Sequence, residues 1–175
     1  MNTIILPHDE YGRQLYIGRK KPTCADFTPP FDTDPAINKP QGGFWTSTWT
    51  GQPNLSPWVR WAAAKGSYTN DEKGWIVNPS KGARLAVIDS REDFEKVLAE
   101  YGVGKEGTDP VIDFVGISHE YDGLWATANA VHSLCSTDRQ ANLSSWDVES
   151  TVWFDWQVET VEPVGKISWE DHPQY

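Results

Sequence analysis

The stretch SSWDVESTVWFDW, residues 144–156, decides how this chain is read. Asp147 and Glu149 stand two apart at the mouth of Thr151-Val152-Trp153-Phe154, a β-branched and aromatic run with strand character. Acidic residues at a strand entrance usually face water. A carboxylate fixed at the end of a rigid element can also do chemistry, and the rest of the chain has to separate these readings.

Working outward, Val158–Val161 adds a possible last strand, and Gly123–Ala128 reads as a strand after the turn Tyr121-Asp122-Gly123. Val111–Ile117 is ambiguous. Ala83–Asp89 is a strand that passes into a helix from Ser90 to Tyr101, where Ser90 and Asp93 resemble a capping box and Phe94, Val97, Leu98 and Tyr101 recur at helical spacing. Ser56 to Gly66 reads as a helix, with Ser56 as cap, Pro57 at the first helical position and Gly66 as stop. Phe44–Trp49 is a strand entered through Gly42-Gly43, and Leu15–Gly18 ends a first strand. Between them, Lys20 to Gly42 is rich in Pro, Asp and Gly. Proline fixes φ and removes a donor, so neither helix nor central strand persists there. A loop of this length in a compact domain is often functional. The pattern predicts one domain over residues 1–175 of the α+β class, with short strands and two or three helices.

Composition narrows the function classes. No run approaches eighteen apolar residues, so no membrane span is expected, and the N-terminal stretch lacks the basic start of a secretory signal. Cys24 and Cys135 lie far apart without metal-ligand spacing, which suggests a reducing compartment and two small buried residues; a disulfide between them is the other reading. A soluble cytoplasmic protein is expected. The net charge of −10 is unevenly placed: up to Thr108 there are 13 acidic and 13 basic residues, and beyond it 12 acidic residues face only Arg139 and Lys166. Such a field disfavours nucleic acid and suits a basic partner or plain solubility. Most of the ten tryptophans should be core.

Three pieces then arrive in order: Leu15-Tyr16-Ile17-Gly18-Arg19, then Gly43-Phe44-Trp45-Thr46-Ser47-Thr48 with a helix holding Trp61-Ala62, then Asp147-Val148-Glu149 before a late strand. This order resembles the ADP-ribosyltransferase fold, in which a strand written roughly Tyr-(His or Arg)-Gly is followed by an aromatic-Ser/Thr strand with its helix. A glutamate, often two residues after another polar residue, then stands beside a late strand. The chain also looks like a group of small bacteriophage proteins that share a Lys-Pro-x-Gly-Gly-x-Trp segment, here Lys39 to Trp45, and a Trp-Asp-x-Asp/Glu-Ser segment, here Trp146 to Ser150.

The resemblance implies a split sheet of short mixed and antiparallel strands, NAD as substrate, and transfer of ADP-ribose to a macromolecular acceptor, a protein more readily than a nucleic acid. It implies Glu149 as the catalytic carboxylate, stabilising an oxocarbenium-like transition state, and Asp147 as the residue that orients the acceptor. Thr46, Ser47 and Thr48 take the place of hydroxyls that support the glutamate and the nicotinamide ribose. Gly18 matches a glycine that lets backbone approach the nicotinamide amide, and Trp45 or Trp49 could stack on its ring. Alternation puts these two tryptophans on one strand face and Thr46 and Thr48 on the other. The departure is Ile17, which stands where the family has His or Arg. Arg19, two residues on, is the nearest replacement for holding a pyrophosphate or ribose oxygen, and is equally a surface arginine beside Lys20 and Lys21.

Glu159, in Gln157-Val158-Glu159 before Glu162-Pro163-Val164-Gly165, is a rival for the carboxylate. There is no Gly-x-Gly-x-x-Gly, phosphate-binding loop or Gly-x-Ser-x-Gly elbow. His8, His119, His132 and His172 lack zinc-ligand spacing, so no metal is expected. Two other readings stay open: an NAD glycohydrolase, with water as acceptor, and a non-catalytic acidic protein that occupies a basic or nucleic-acid-binding surface of its target.

Overall fold

In a computed structural model of the chain, described residues are 2–5, 12–33, 38–104, 109–135, 143 and 145–169; His8, Arg139, Ser144, His172 and residues 34–37 of the long loop lie outside them. The strands are β1 (Asn2–Ile5), β2 (Gln14–Gly18), β3 (Asp32–Thr33), β4 (Pro40–Gln41), β5 (Phe44–Thr48), β6 (Lys73–Pro79), β7 (Arg84–Ile88), β8 (Gly102–Val103), β9 (Val111–Ile112), β10 (Gly123–Ala126), β11 (Ser150–Trp153) and β12 (Val158–Lys166). The helices are α1 (Pro57–Lys65), α2 (Arg91–Tyr101), α3 (Phe114–Ile117) and α4 (Ala128–Leu134). Eight strands form one mixed sheet in the order β1-β7-β10-β11-β5-β2-β6-β12, in which only β7 and β10 run parallel. The architecture is α+β, with four helices where two or three were expected. The ambiguous stretch Val111–Ile117 divides into β9 and α3, and the strand expected over Gly123–Ala128 ends at Ala126, with Ala128 opening α4; each helix is one or two turns long, too short to show a period. Both are set instead by capping side chains. Asp113 accepts from the backbone N–H groups of Val115 and Gly116, and Thr127 accepts from that of Ala130.

Alternation assigns the two faces. Ala86, Ile88, Leu124, Ala126 and Val152 point to one side, where they pack with Phe94, Val97, Ile117, Val131 and Leu134 of α2, α3 and α4. Leu15 points to the same side and meets Val59 and Ala62 of α1. The other face carries Leu85, Trp153 and Phe44, covered by Phe27 and Trp156. Each fully buried large side chain of this kind contributes roughly 1.5–3 kcal/mol. Only Trp146, Trp153 and Trp169 of the ten tryptophans are buried; the other seven are half-buried.

Helix ends follow the sequence with one exception. Gly66 stops α1 in the left-handed conformation, with φ 64°, and Ser90 accepts the backbone N–H of Asp93 at the start of α2. Ser56, expected to cap α1, instead shares a 2.8 Å hydroxyl–hydroxyl bond with Ser47. Trp49 lies just beyond the end of β5. Cys24 and Cys135 are both free and exposed, not buried and not bridged: Cys24 opens a surface turn and Cys135 follows the last residue of α4. Among the described residues no helix is long and apolar enough to cross a membrane.

Candidate functional site

The site begins where two strands part. β2 and β5 pair only through Gln14–Thr48 and Leu15–Ser47. Beyond Leu15, β2 keeps its partner β6 but leaves β5. A cavity of about 290 Å³ occupies the opening, lined by Leu15, Tyr16 and Ile17 on one bank and Trp45, Thr46 and Ser47 on the other. Trp58 of α1 closes one end; Lys39, Trp146, Asp147, Val148 and Ser150 close the opposite wall. The volume lies at the lower end of small-molecule sites, and the mixture of aromatic walls with a few polar groups is typical of them.

That opposite wall is made by the two segments Lys39–Trp45 and Trp146–Ser150. The Lys39 ammonium donates to the Ser145 carbonyl at 2.8 Å and lies 3.6 Å from the Asp147 carboxylate and 5.3 Å from the centre of the Trp45 ring. Trp45 meets Trp146 edge-on at 5.0 Å, and the Trp146 indole N–H donates to the Asn38 carbonyl. The glycine pair has a steric reason. Gly43 is left-handed, with φ 74°, and a Cβ there would lie 2.4 Å from a methyl of Val152.

Glu149 takes a different place. Ser150 lines the cavity, and Glu149, one residue earlier, turns instead to Thr48 and Trp125, on the face where Thr151 pairs with Thr46 and Trp125. Its carboxylate accepts the Thr48 backbone N–H at 3.1 Å, the Thr48 hydroxyl at 2.8 Å and the Trp125 indole N–H at 2.7 Å. It is 5% exposed. Burial pushes its carboxyl above the ordinary value, and the bonds from Thr48 and Trp125 oppose that rise. The carboxylate thus continues the β5–β11 ladder by one bond and ties in the neighbouring β10. It does not line the cavity, whereas Asp147, with a side chain 41% exposed, does.

The remaining expected site residues divide. Trp45 and Ser47 line the cavity, although the Ser47 hydroxyl is already paired with Ser56. Thr46 also contributes to the wall, while its hydroxyl donates to the Gln14 side-chain carbonyl at 3.0 Å and accepts the Trp153 indole N–H at 2.9 Å. Gly18 is not among the lining residues; a Cβ there would lie 2.6 Å from the Tyr16 hydroxyl and 2.7–2.8 Å from its ring. Arg19 is exposed and paired with Asp71 at 3.1 Å, away from the lining residues. Glu159 is exposed on β12, at the edge of the sheet. Sequence reasoning did not single out Lys39, Trp58, Trp125 or Trp146 as site residues. Lys39 and Trp146 did stand in the two shared segments, which was their signal; Trp125 had none. No group of three or more His, Cys, Asp or Glu side chains among the described residues is arranged to hold a metal ion. No protein-family model, curated protein or solved structure matches the chain.

Proposed function

We propose that the cavity takes the nicotinamide end of NAD and that the chain is a mono-ADP-ribosyltransferase of the ADP-ribosyltransferase-like fold. One observation carries the reading: the three stretches on which the resemblance rests, far apart in the chain, wall a single cavity through Ile17, through Trp45 and Ser47, and through Asp147 and Val148. The sheet is continuous where the resemblance implies a split one, and that expectation is supported only by the short β2–β5 pairing, which opens the sheet locally beyond Leu15. The Thr48 hydroxyl on Glu149 supports the idea that this strand's hydroxyls hold the glutamate. The packing of Lys39–Trp45 against Trp146–Ser150 supports the bacteriophage likeness, and with it a host cytoplasm as the setting.

In this reading the bond between the ring nitrogen and the ribose breaks, its electron pair leaves with the ring as neutral nicotinamide, and an acceptor nucleophile bonds to the ribose carbon as its proton departs. Positive charge develops on the ribose, and a nearby carboxylate stabilises it. Asp147 is the carboxylate a bound ribose meets in this arrangement. Glu149, one residue from Ser150 and Val148 of the cavity wall, fixes the stretch that carries them. The test is transfer from labelled NAD into a host lysate by wild type, Asp147→Asn and Glu149→Gln. Loss of label in Asp147→Asn alone supports this assignment; loss in Glu149→Gln alone returns the reaction to Glu149. Nicotinamide release without labelled macromolecule would make the protein a glycohydrolase, and absence of NAD binding would remove the enzyme reading.

The second reading, a non-catalytic protein that covers a basic surface, is favoured by two observations. Arg19 is tied to Asp71 outside the cavity, so it does not replace the cation absent at Ile17. Asp155 and Glu159 are exposed in the acidic last third of the chain.

A further inference from the structure

We infer that the cavity is a site for an organic cation, and that the Lys39 ammonium is the internal stand-in for it. The site lies in the same cavity as the transferase reading, and rests on that reading only for nicotinamide as the natural ring. The inference itself stands on the surroundings of one charge. Lys39 places its ammonium over the Trp45 ring, 3.6 Å from the Asp147 carboxylate, in a cavity further walled by Trp58 and Trp146. Aromatic faces present negative charge to a cation, aromatic cages are how proteins hold quaternary ammonium groups, and a carboxylate beside the rings adds attraction of the same sign. The hold on Lys39 is light. Its side chain is 36% exposed and its one short bond goes to a backbone carbonyl, so it can swing into water and leave Trp45 and Asp147 to an entering cation. A pyridinium ring brings its charge on a flat face that fits between indoles, whereas a second ammonium group would gain less from the flat apolar walls.

The consequence for turnover is directional. The ring of NAD is cationic while it is joined to ribose and neutral once released, so the cavity holds the substrate electrostatically and lets the product go.

The test is calorimetric titration at constant ionic strength with 1-methylnicotinamide cation and with its neutral 1,4-dihydro counterpart, which differs by one hydride. The cation should bind at least about tenfold more tightly, the range expected for a cation–aromatic site. Lys39→Met should tighten cation binding about threefold or more and leave the neutral compound unchanged, because it removes an internal competitor. Asp147→Asn, at an exposed position where the fold is not at risk, should weaken the cation alone. Equal affinity for cation and neutral compound would overturn the inference. So would Lys39→Met binding the cation no better than wild type, or Asp147→Asn binding it equally well. The expected order of affinities without any NAD turnover would support the cation site while removing the transferase reading.

Discussion

Asp147 and Glu149 leave the chain two residues apart and arrive in opposite surroundings. Asp147 sits in a cavity wall with a side chain 41% exposed and one loose partner, Lys39, at 3.6 Å. Glu149 is sealed into the seam of three strands, where three donors converge on its two oxygens. Spacing by two puts side chains on one face only inside a strand, and β11 begins at Ser150. Asp147 lies in the bend before it and is free of that rule. The difference separates two roles that one short motif suggests together: one carboxylate holds the backbone, and the other stays part-exposed beside Lys39 in the cavity wall.

The largest test of that division is stability. Glu149→Ala removes the acceptor of two part-buried N–H groups and a hydroxyl and should cost about 3–5 kcal/mol in urea unfolding. Asp147→Ala, which breaks a part-exposed pair, should cost less than about 1 kcal/mol. Equal losses would break the comparison. Next, Gly43→Ala asks whether the cavity wall is stiff despite its exposure. A left-handed backbone together with the Val152 methyl predicts a loss of about 2–3 kcal/mol by thermal unfolding. A change within error would mean the wall yields. Thr48→Val should cost about 1–1.5 kcal/mol by removing the hydroxyl bond while keeping the backbone one.

The smallest effect is on pH dependence. Because burial raises the Glu149 carboxyl in the fold, the native state holds this proton more tightly than the unfolded chain. The stabilisation that follows is complete below the unfolded carboxyl value of about 4.3 and is lost as pH rises through the higher folded value. Wild type should therefore gain on Glu149→Gln as pH falls through that window, measured as the difference in unfolding free energy. A difference that runs the other way would mean that the three hydrogen bonds outweigh burial.

Local patterns carried much of the fold. The aromatic and β-branched content of Phe44–Thr48, the Pro57 and Gly66 marks of α1 and the Ser90 cap of α2 were all legible, because each depends on neighbours in the chain. β6 was not. Gly74, Asn78 and Pro79 are poor strand formers, so the stretch carries no strand signal, yet it pairs with both β2 and β12, and Gly74 lies close under Ile167. At the site, Glu149 and the threonine strand were legible as partners, since hydroxyl and carboxylate meet in the seam. The cavity was not, because it depends on where two strands separate. Nor was the contact of Lys39 with Asp147, which joins the two shared segments across 108 positions of chain.

The short pairing between β2 and β5 has a mechanical consequence. A sheet pinned at Gln14–Thr48 and Leu15–Ser47, and open beyond, works as a pair of jaws on a fulcrum. Glu149 grips Thr48 at that fulcrum. A substitution there is expected to change the spacing of Ile17 and Trp45 across the cavity without touching either.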